Sequence, residues 1–319
     1  MAGTRVREEP PDATAGGRRP HVAVVVLSWN GLDETLACLE SVGRSDWPEM
    51  TTIVVDNGSD QPLEPAIAER FPNVLVVRNE ANLGFAGGMN TGTRKALELD
   101  ADYVLLLNND TDVDPTMIRR LLDAAEGQPD TGIVSPLDFF RDSPDTISMI
   151  GLRFNPRRGY QGPPLGRGER DTGQFHGVRE VDASAGTAML VPLPVVREVG
   201  LLDEDLFFYV EDVDWALRMR KAGRRNYAAM EARLWHAQAA SSGGEETPRV
   251  TYYTTRNTFV VTARHAPMRG PRAALRHLEI LGANLVHALR SPERREQVRA
   301  VLAGWRDYRH GRLGPGPWG

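Results

Sequence analysis

The run Asn108-Asn109-Asp110-Thr111-Asp112 sets two carboxylates two residues apart, directly after the apolar stretch Tyr103–Leu107. Alternate side chains of an extended segment share a face, so Asp110 and Asp112 are expected to reach one cation together. Hard divalent ions such as Mg2+ and Mn2+ favour such ligands and often complete their shell with water and substrate phosphates. The same spacing suits an Asn/Asp-rich turn equally well, and the motif alone leaves both readings open. A second acidic cluster, Glu211-Asp212-Val213-Asp214, follows the aromatic run Phe207-Phe208-Tyr209. Acidic residues at a helix start complement its dipole, yet a carboxylate beside apolar rings also suits a general base. Asp212 is assigned that role, with Glu211 as an orienting neighbour, and Asp203, Glu204 and Asp205 are assigned to a loop. Of the seven histidines, His236 is singled out. It follows Leu234-Trp235 at an expected strand end, precedes the loop Ser241–Gly244, and is expected to complete the cation shell.

Two further clusters have ligand-binding chemistry. Asp56-Asn57-Gly58-Ser59 reads as an Asp/Asn-Gly turn, but its carboxylate could also accept a hydrogen bond from the imide of uracil or thymine. Asn82–Asn90 is glycine-rich (Gly84, Gly87, Gly88) and opens a helix, so its backbone could approach a ligand closely. It is neither the dinucleotide G-x-G-x-x-G fingerprint nor a Walker A loop.

These clusters need a scaffold. Val22–Ser28 is a near-continuous apolar run of the kind buried on both faces of a parallel sheet. Helical spacing follows over Leu32–Val42 (Leu32, Leu36, Leu39, Val42), then a strand over Thr52–Val55, a helix over Leu63–Arg70 and a strand over Val74–Val77. After Asn79–Asn90 a helix runs to about Leu99 and leads to the strand Tyr103–Leu107. Strands alternating with helices argue for an α/β domain with a mostly parallel sheet, which binds ligands beyond the carboxyl ends of its strands. Ser28-Trp29-Asn30, Asp56–Ser59, Asn79–Asn90 and Asn108–Asp112 all fall there and are expected to converge on one crevice. Further on, the pattern predicts a helix over Met117–Ala125 and a short strand over Gly132–Ser135. It then predicts a long acceptor-covering loop over Arg141–Thr172, a strand around Ala185-Gly186-Thr187 and a helix over Asp212–Ala222. From Arg272 the pattern is helical, broken at Ser291-Pro292, and Gly311–Gly319 is expected to fray.

The 319-residue chain has a formal charge of −5, which argues against nucleic acid as a partner. Its single cysteine, Cys38, excludes a disulfide framework and a cysteine metal cluster. No apolar run approaches the ~20 residues of a membrane span, and Met1–Pro20 lacks an apolar signal core. A cytoplasmic location is therefore expected. The expected division is a disordered tail over 1–20, a catalytic domain over 21–268 and a helical segment with a frayed end over 269–319. Within the domain, 21–115 is the nucleotide-binding half and 116–268 the acceptor half.

Taken together, Leu27-Ser28-Trp29-Asn30, Val54–Ser59, Asn79–Gly92, Leu105–Pro115, Ala185–Met189, Val199–Gly223 and His236 resemble, in order, the motifs of family 2 glycosyltransferases. The resembling subgroup contains bacterial rhamnosyltransferases and galactofuranosyltransferases. The resemblance implies the Rossmann-like GT-A fold, an inverting reaction, a nucleotide-diphosphate sugar as donor, a divalent metal and a hydroxyl acceptor. It implies that Asp56 reads the pyrimidine, while Ser28, Asn30, Asn57, Asn82, Gly84, Phe85, Gly88, Asn90 and Asn109 line the nucleotide site. Asp110, Asp112 and His236 would hold the metal, Asp110 also facing the donor, and Asp212 with Glu211 would be catalytic. Arg256, within Tyr252–Asn257, would pair with the donor diphosphate. The subgroup favours dTDP-rhamnose as donor, ahead of other dTDP- or UDP-sugars, and a cell-surface glycan precursor or a secondary metabolite as acceptor.

Two segments lie outside the resemblance. Arg153–Arg170 matches nothing. Arg272–Arg312 holds nine arginines against four acidic residues, which suits either a solvated face of packed helices or peripheral contact with anionic lipid at the inner membrane face. A homodimer is carried as a further assembly. The rival readings are a sugar nucleotidyltransferase, which lacks support because Ser28-Trp29-Asn30-Gly31 has no following activating arginine and lysine, and a non-catalytic scaffold with the same fold.

Overall fold

The computed structural model describes residues 18–318 apart from 156, 158, 162, 163, 185 and 238–246. Most of the expected tail, Ala185 and the Ser241–Gly244 loop lie outside the described residues. Arg18, at the end of that tail, forms an ion pair with Asp102 at 3.0 Å.

The first half alternates as β1 (Val22–Ser28), α1 (Leu32–Val42), β2 (Met50–Asp56), α2 (Glu64–Arg70), β3 (Leu75–Arg78), α3 (Gly84–Glu98) and β4 (Tyr103–Asn108). Next come β5 (Thr111–Val113), α4 (Met117–Glu126), β6 (Thr131–Phe140), β7 (Ser143–Met149), the hairpin strands β8 (Phe154–Asn155) and β9 (Tyr160–Gln161), β10 (Val178–Val181), β11 (Ala188–Pro192) and α5 (Leu193–Val199). The chain closes with α6 (Glu211–Lys221), β12 (Arg225–His236), α7 (Pro248–His265), α8 (Gly270–Arg290) and α9 (Arg294–Arg309). The main sheet runs β10-β12-β6-β11-β4-β1-β2-β3, with β5 on β12 and β7 on β6. β3, β2, β1 and β4 are parallel, as are β6 and β12, whereas β11 runs antiparallel to β4.

The sheet is covered on both sides, and β1 shows why its sequence is apolar without alternation. Val22, Val24 and Val26 face the core that holds Leu39 of α1 and Ile118 of α4. Ala23 and Val25 face the opposite core, with Met89 of α3 and Trp215 of α6. Each such fully buried aliphatic side chain contributes about 1.5–3 kcal/mol relative to exposure. Register sets Ser28 beside Asp56 and Leu27 beside Asn108, so the polar strand ends form one edge.

Several expected boundaries move. Helix α3 starts at Gly84, inside the glycine-rich run rather than after it. Gly84 has φ +73°, and a Cβ there would collide with Phe207. β6 reaches Phe140, well past the expected strand. The expected Arg141–Thr172 loop carries β7 and the β8–β9 hairpin, because β7 adds to the edge of the lengthened β6. Gly186 and Thr187 are a turn, and the strand begins only at Ala188. Pro248–His265 forms an 18-residue helix. The end expected to fray is docked: the Gly314 N–H donates to Asp205 O at 2.7 Å, and Trp318 packs on Tyr252. Among the described residues no helix is long and apolar enough to cross a membrane.

Candidate active site

Beyond the carboxyl ends of β1, β2 and β4 lies a pocket of about 270 Å3, closed by the turn before α6 and the start of α7. One wall carries Asp110. β4 ends at Asn108, and the chain turns through Asn109-Asp110 before β5 pairs with β12. That turn interrupts the alternation of a strand, so Asp110 drops into the pocket while Asp112 points outward to Arg44 at 2.9 Å, half exposed. The expectation that both aspartates share a face is therefore corrected. Asn109 lines the pocket and ties its floor together, donating to Thr35 Oγ1 at 3.0 Å and Gly31 O at 3.2 Å.

The β5–β12 pairing sets His236 opposite Thr111, which brings its ring to Asp110. His236 Nε2 lies 3.1 Å from Asp110 Oδ1, and Nδ1 lies 3.6 Å from Asp138 Oδ2. The first contact is close in distance but misaligned, so Nε2 makes no hydrogen bond, and Asp138 Oδ1 is likewise buried without one. Burial alone would lower the imidazole's pKa, but the two carboxylates overcome it and push it up to about 10. For Asp138 burial dominates and raises the carboxyl, against the neighbouring His236 imidazole and the hydrogen bond from Thr187. No three ligating groups already form a cation shell among the described residues. Asp110 and His236 instead supply two adjacent donors, a carboxylate oxygen of the kind Mg2+ and Mn2+ favour and an imidazole, a ligand more usual for transition ions. Other positions would be left for phosphate oxygens and water.

The facing wall is the start of α6. Phe207, Tyr209 and Val210 all have positive φ (64°, 64° and 72°), a conformation costly for residues other than glycine. The strain is held by α7. Asn257 Nδ2 donates to the carbonyls of Leu206, Phe208 and Tyr209 at 2.8, 3.0 and 2.7 Å, and Arg256 donates to Leu206 O at 3.0 Å. Glu211 and Asp212 then emerge into the pocket. Burial, reinforced by neighbouring Asp212, raises the Glu211 carboxyl well above its usual range. Burial also raises Asp212 to about 6, opposed by hydrogen bonds from the N–H groups of Val213 and Gly186. Asp212 nonetheless keeps partial exposure towards the pocket.

Arg256 is thus misplaced as a diphosphate ligand. It is 1% exposed and lies against the Tyr252 and Tyr253 rings, with Nη1 on Gly314 O. The arginine that does line the pocket is Arg249, 5.3 Å over the Trp29 ring and 5.0 Å over Phe208. Its Nε is buried without a hydrogen bond.

The nucleotide-binding expectations divide. Asn57, Asn82, Gly84 and Phe85 line the pocket, and Asn57 clamps the loop by donating to Asn82 Oδ1 and Gly84 O at 3.1 and 3.0 Å. Asp56 is 1% exposed, with its oxygens taken by the N–H groups of Ser59 and Leu63 and by Arg78. In this arrangement it pins the loop and is buried away from the pocket. Ser28 is buried in hydrogen bonds with Thr35 and Asn109, and Asn30 accepts from Asp60 N at 2.8 Å, so both brace loops off the pocket wall. Gly88 faces Leu27 and Asn57, where a Cβ would strike Leu27; its role is close packing of α3 on β1. Asn90 holds the segment before α6, through Leu202 and Glu204.

Residues 23–178 match the family model described as glycosyl transferase family 2. An N-acetylglucosaminyl-diphospho-decaprenol L-rhamnosyltransferase of Mycobacterium tuberculosis is 29% identical over 78% of this chain and 87% of its own length. The match spans just under half of the chain, and together with this relative it supports a family 2 glycosyltransferase. The chain is rhamnosyltransferase-like within that family: a dTDP-rhamnosyl transferase of Shigella flexneri is 25% identical over 68% of this chain and 72% of its own length. Among solved structures, a mannosyltransferase of Pyrobaculum calidifontis in complex with GDP-Man and Mn2+ superposes with a TM-score of 0.57 at 16% identity, covering 98% of this chain and 81% of that one. It shares the GT-A fold.

The matched segment contains Asp110 and Asp138 but stops before Glu211, Asp212, His236 and Arg249. Asp138 escaped the sequence reading, although a lone carboxylate within the apolar stretch Ile133–Phe140 was a usable signal. Arg249 had none, since its place depends on α7 folding back over the turn before α6.

Proposed function

We propose that the pocket binds a pyrimidine nucleotide-diphosphate sugar with a divalent cation and transfers the sugar, with inversion, to an acceptor hydroxyl. The observation that carries this reading is the opposition of Asp110, Asp138 and His236 to Glu211 and Asp212 across one pocket. Asp110 and His236 would hold the cation, which supplies charge neutralisation for the departing diphosphate. Asp138 orients the imidazole from its other nitrogen, a common arrangement around metal-bound histidine. Arg249 takes the diphosphate-pairing role expected of Arg256. Asp212 removes the acceptor proton as its oxygen bonds to the anomeric carbon, while the bond from that carbon to the diphosphate oxygen breaks on the opposite face. Glu211 orients the acceptor. The names of the two rhamnosyl-transferring relatives support dTDP-rhamnose as the first donor to test, followed by other dTDP- and UDP-sugars. The first of these names supports a sugar diphosphate carried on a polyprenol as the acceptor to test, a form that a cell-surface glycan precursor would take.

Calorimetric titration with dTDP, UDP and GDP, each with and without Mn2+, tests the donor half. Metal-dependent binding of a pyrimidine diphosphate is expected, and no binding under any condition would overturn it. Asp212→Asn tests the other half: nucleotide affinity should stay within about twofold while transfer falls by at least about a hundredfold. Unchanged turnover would remove Asp212 as the base.

A further inference from the structure

Helix α8 lies beyond the segment matched by the family model and has two unlike faces. Its inner side buries Arg276, Ile280 and Ala288. Arg276 Nη1 donates to the carbonyls of Thr262 and Ala266, fastening α8 to the end of α7. Its outer side should be polar if it met only water. Instead Leu275, Leu278, Val286 and Leu289 are 58, 67, 50 and 60% exposed. At 100° per residue these four fall within one narrow stripe along the helix. They are four of the nine large apolar side chains exposed among the described residues, so the clustering is not ordinary surface scatter.

Charge decides what covers the stripe. Arg272 and Arg290 stand on one shoulder of it, near either end, with Glu279 between, and exposed Arg294, Arg295 and Arg299 follow on α9. Residues 272–312 carry nine arginines and four acidic residues in a chain whose net charge is −5. A second copy laid antiparallel along this stripe would bring the two arginine shoulders together at a repulsive cost, and a parallel copy would set them against the uncharged shoulder of Ala274, Leu281 and Leu285. An anionic bilayer satisfies both features: the leucines enter the acyl boundary, and the arginines meet lipid phosphates.

We propose that the outer face of α8 is a seat for an anionic membrane surface. Its place in the fold gives this a use. Gly159, in the β8–β9 turn, packs so closely on Ile280 that a Cβ would collide with it, and the same segment leads back to Leu152 on the pocket wall. The inner side of α8 thus packs on the β8–β9 turn, a turn of the same segment that lines the pocket at Leu152. Resting on the transfer reading above, the seat would present the pocket to an acceptor carried on a lipid.

Co-sedimentation of the full chain with phosphatidylglycerol–phosphatidylcholine vesicles, against pure phosphatidylcholine, tests the seat directly. Wild type should sediment with the anionic vesicles and be released by salt. The pair Leu278→Glu with Leu289→Glu, and separately Arg272→Glu with Arg290→Glu, should each lower partitioning at least about tenfold, since each arginine alone is worth about fivefold. These side chains are exposed and off the pocket, so melting temperature and nucleotide binding should not change. Nucleotide titration reports on the donor site separately, so its failure would strike the transfer reading and leave the vesicle result standing. Wild type remaining in the supernatant, or variants sedimenting like wild type, would overturn the proposal. A dimer in light scattering that the leucine variants dissociate, without vesicle binding, would overturn it in favour of a second copy.

Discussion

Asp212 and Glu211 are neighbours in one buried acidic pair, yet only Asp212 combines exposure to the pocket with a pKa near the working range. Its carboxyl is raised to about 6 by burial. A base must be deprotonated to act, so kcat/KM should rise with pH through about 6 and level off above it. The measurement is a pH–rate profile with the donor identified by calorimetry. A profile flat between pH 5 and 7 would separate the rate from this group. The two arginines give a second contrast. Arg249→Ala should weaken nucleotide diphosphate binding about tenfold or more, the worth of a charge-assisted hydrogen bond, with little change in melting temperature. Arg256→Ala should do the reverse, costing on the order of 3 kcal/mol because it strips partners from a strained loop. Equal effects of the two on binding would contradict their different places.

At the scale of elements, α6 is held to α7 by Asp214. This fully buried carboxylate pairs with Arg218 of its own helix and with Arg264 and His265 of α7, at 2.8, 2.9 and 2.9 Å. Burial would raise its pKa, but the hydrogen bond from His265 and the charges of Arg218 and Arg264 bring it down to about 2. A carboxyl depressed on folding stabilises the protein above its unfolded value, 3.8, and that stability is lost as pH falls towards 2. Asp214→Asn should therefore lower stability at pH 7 and flatten the acid limb between pH 4 and 2, measured by denaturant melts across that range. An unchanged acid limb would show that other carboxylates govern it.

For the whole molecule, the last residues complete the turn before α6. Arg256 donates to Gly314 O at 2.7 Å, Gly316 N donates to Tyr253 Oη at 2.7 Å, and Gly314 N reaches Asp205 O just before the strained residues. Truncation after His310 should lower the melting temperature by several degrees and reduce kcat more than nucleotide affinity, because the turn presents Glu211 and Asp212 rather than the donor side. A truncated chain with wild-type kcat would show that Asn257 suffices to hold the turn.

The sequence by itself determined the covered parallel sheet and the family resemblance. Unbroken apolar runs such as Val22–Leu27 can be satisfied only between two helical layers, and polar residues at the ends of such strands must lie along one edge. It also marked Asp110, Glu211, Asp212 and His236, because a polar residue at an apolar strand end or beside an aromatic run stands out locally. Only the tertiary structure decided which of these meet, and which neighbours turn away. Asp112 parts from Asp110 because the chain turns between β4 and β5. Asp138 reaches His236 because β6 and β12 run side by side. Arg249 replaces Arg256 on the pocket wall because α7 directs one arginine to the pocket and buries the other against a strained turn. Each of these outcomes depends on contacts between segments distant in the chain, for which spacing along the chain carries no record.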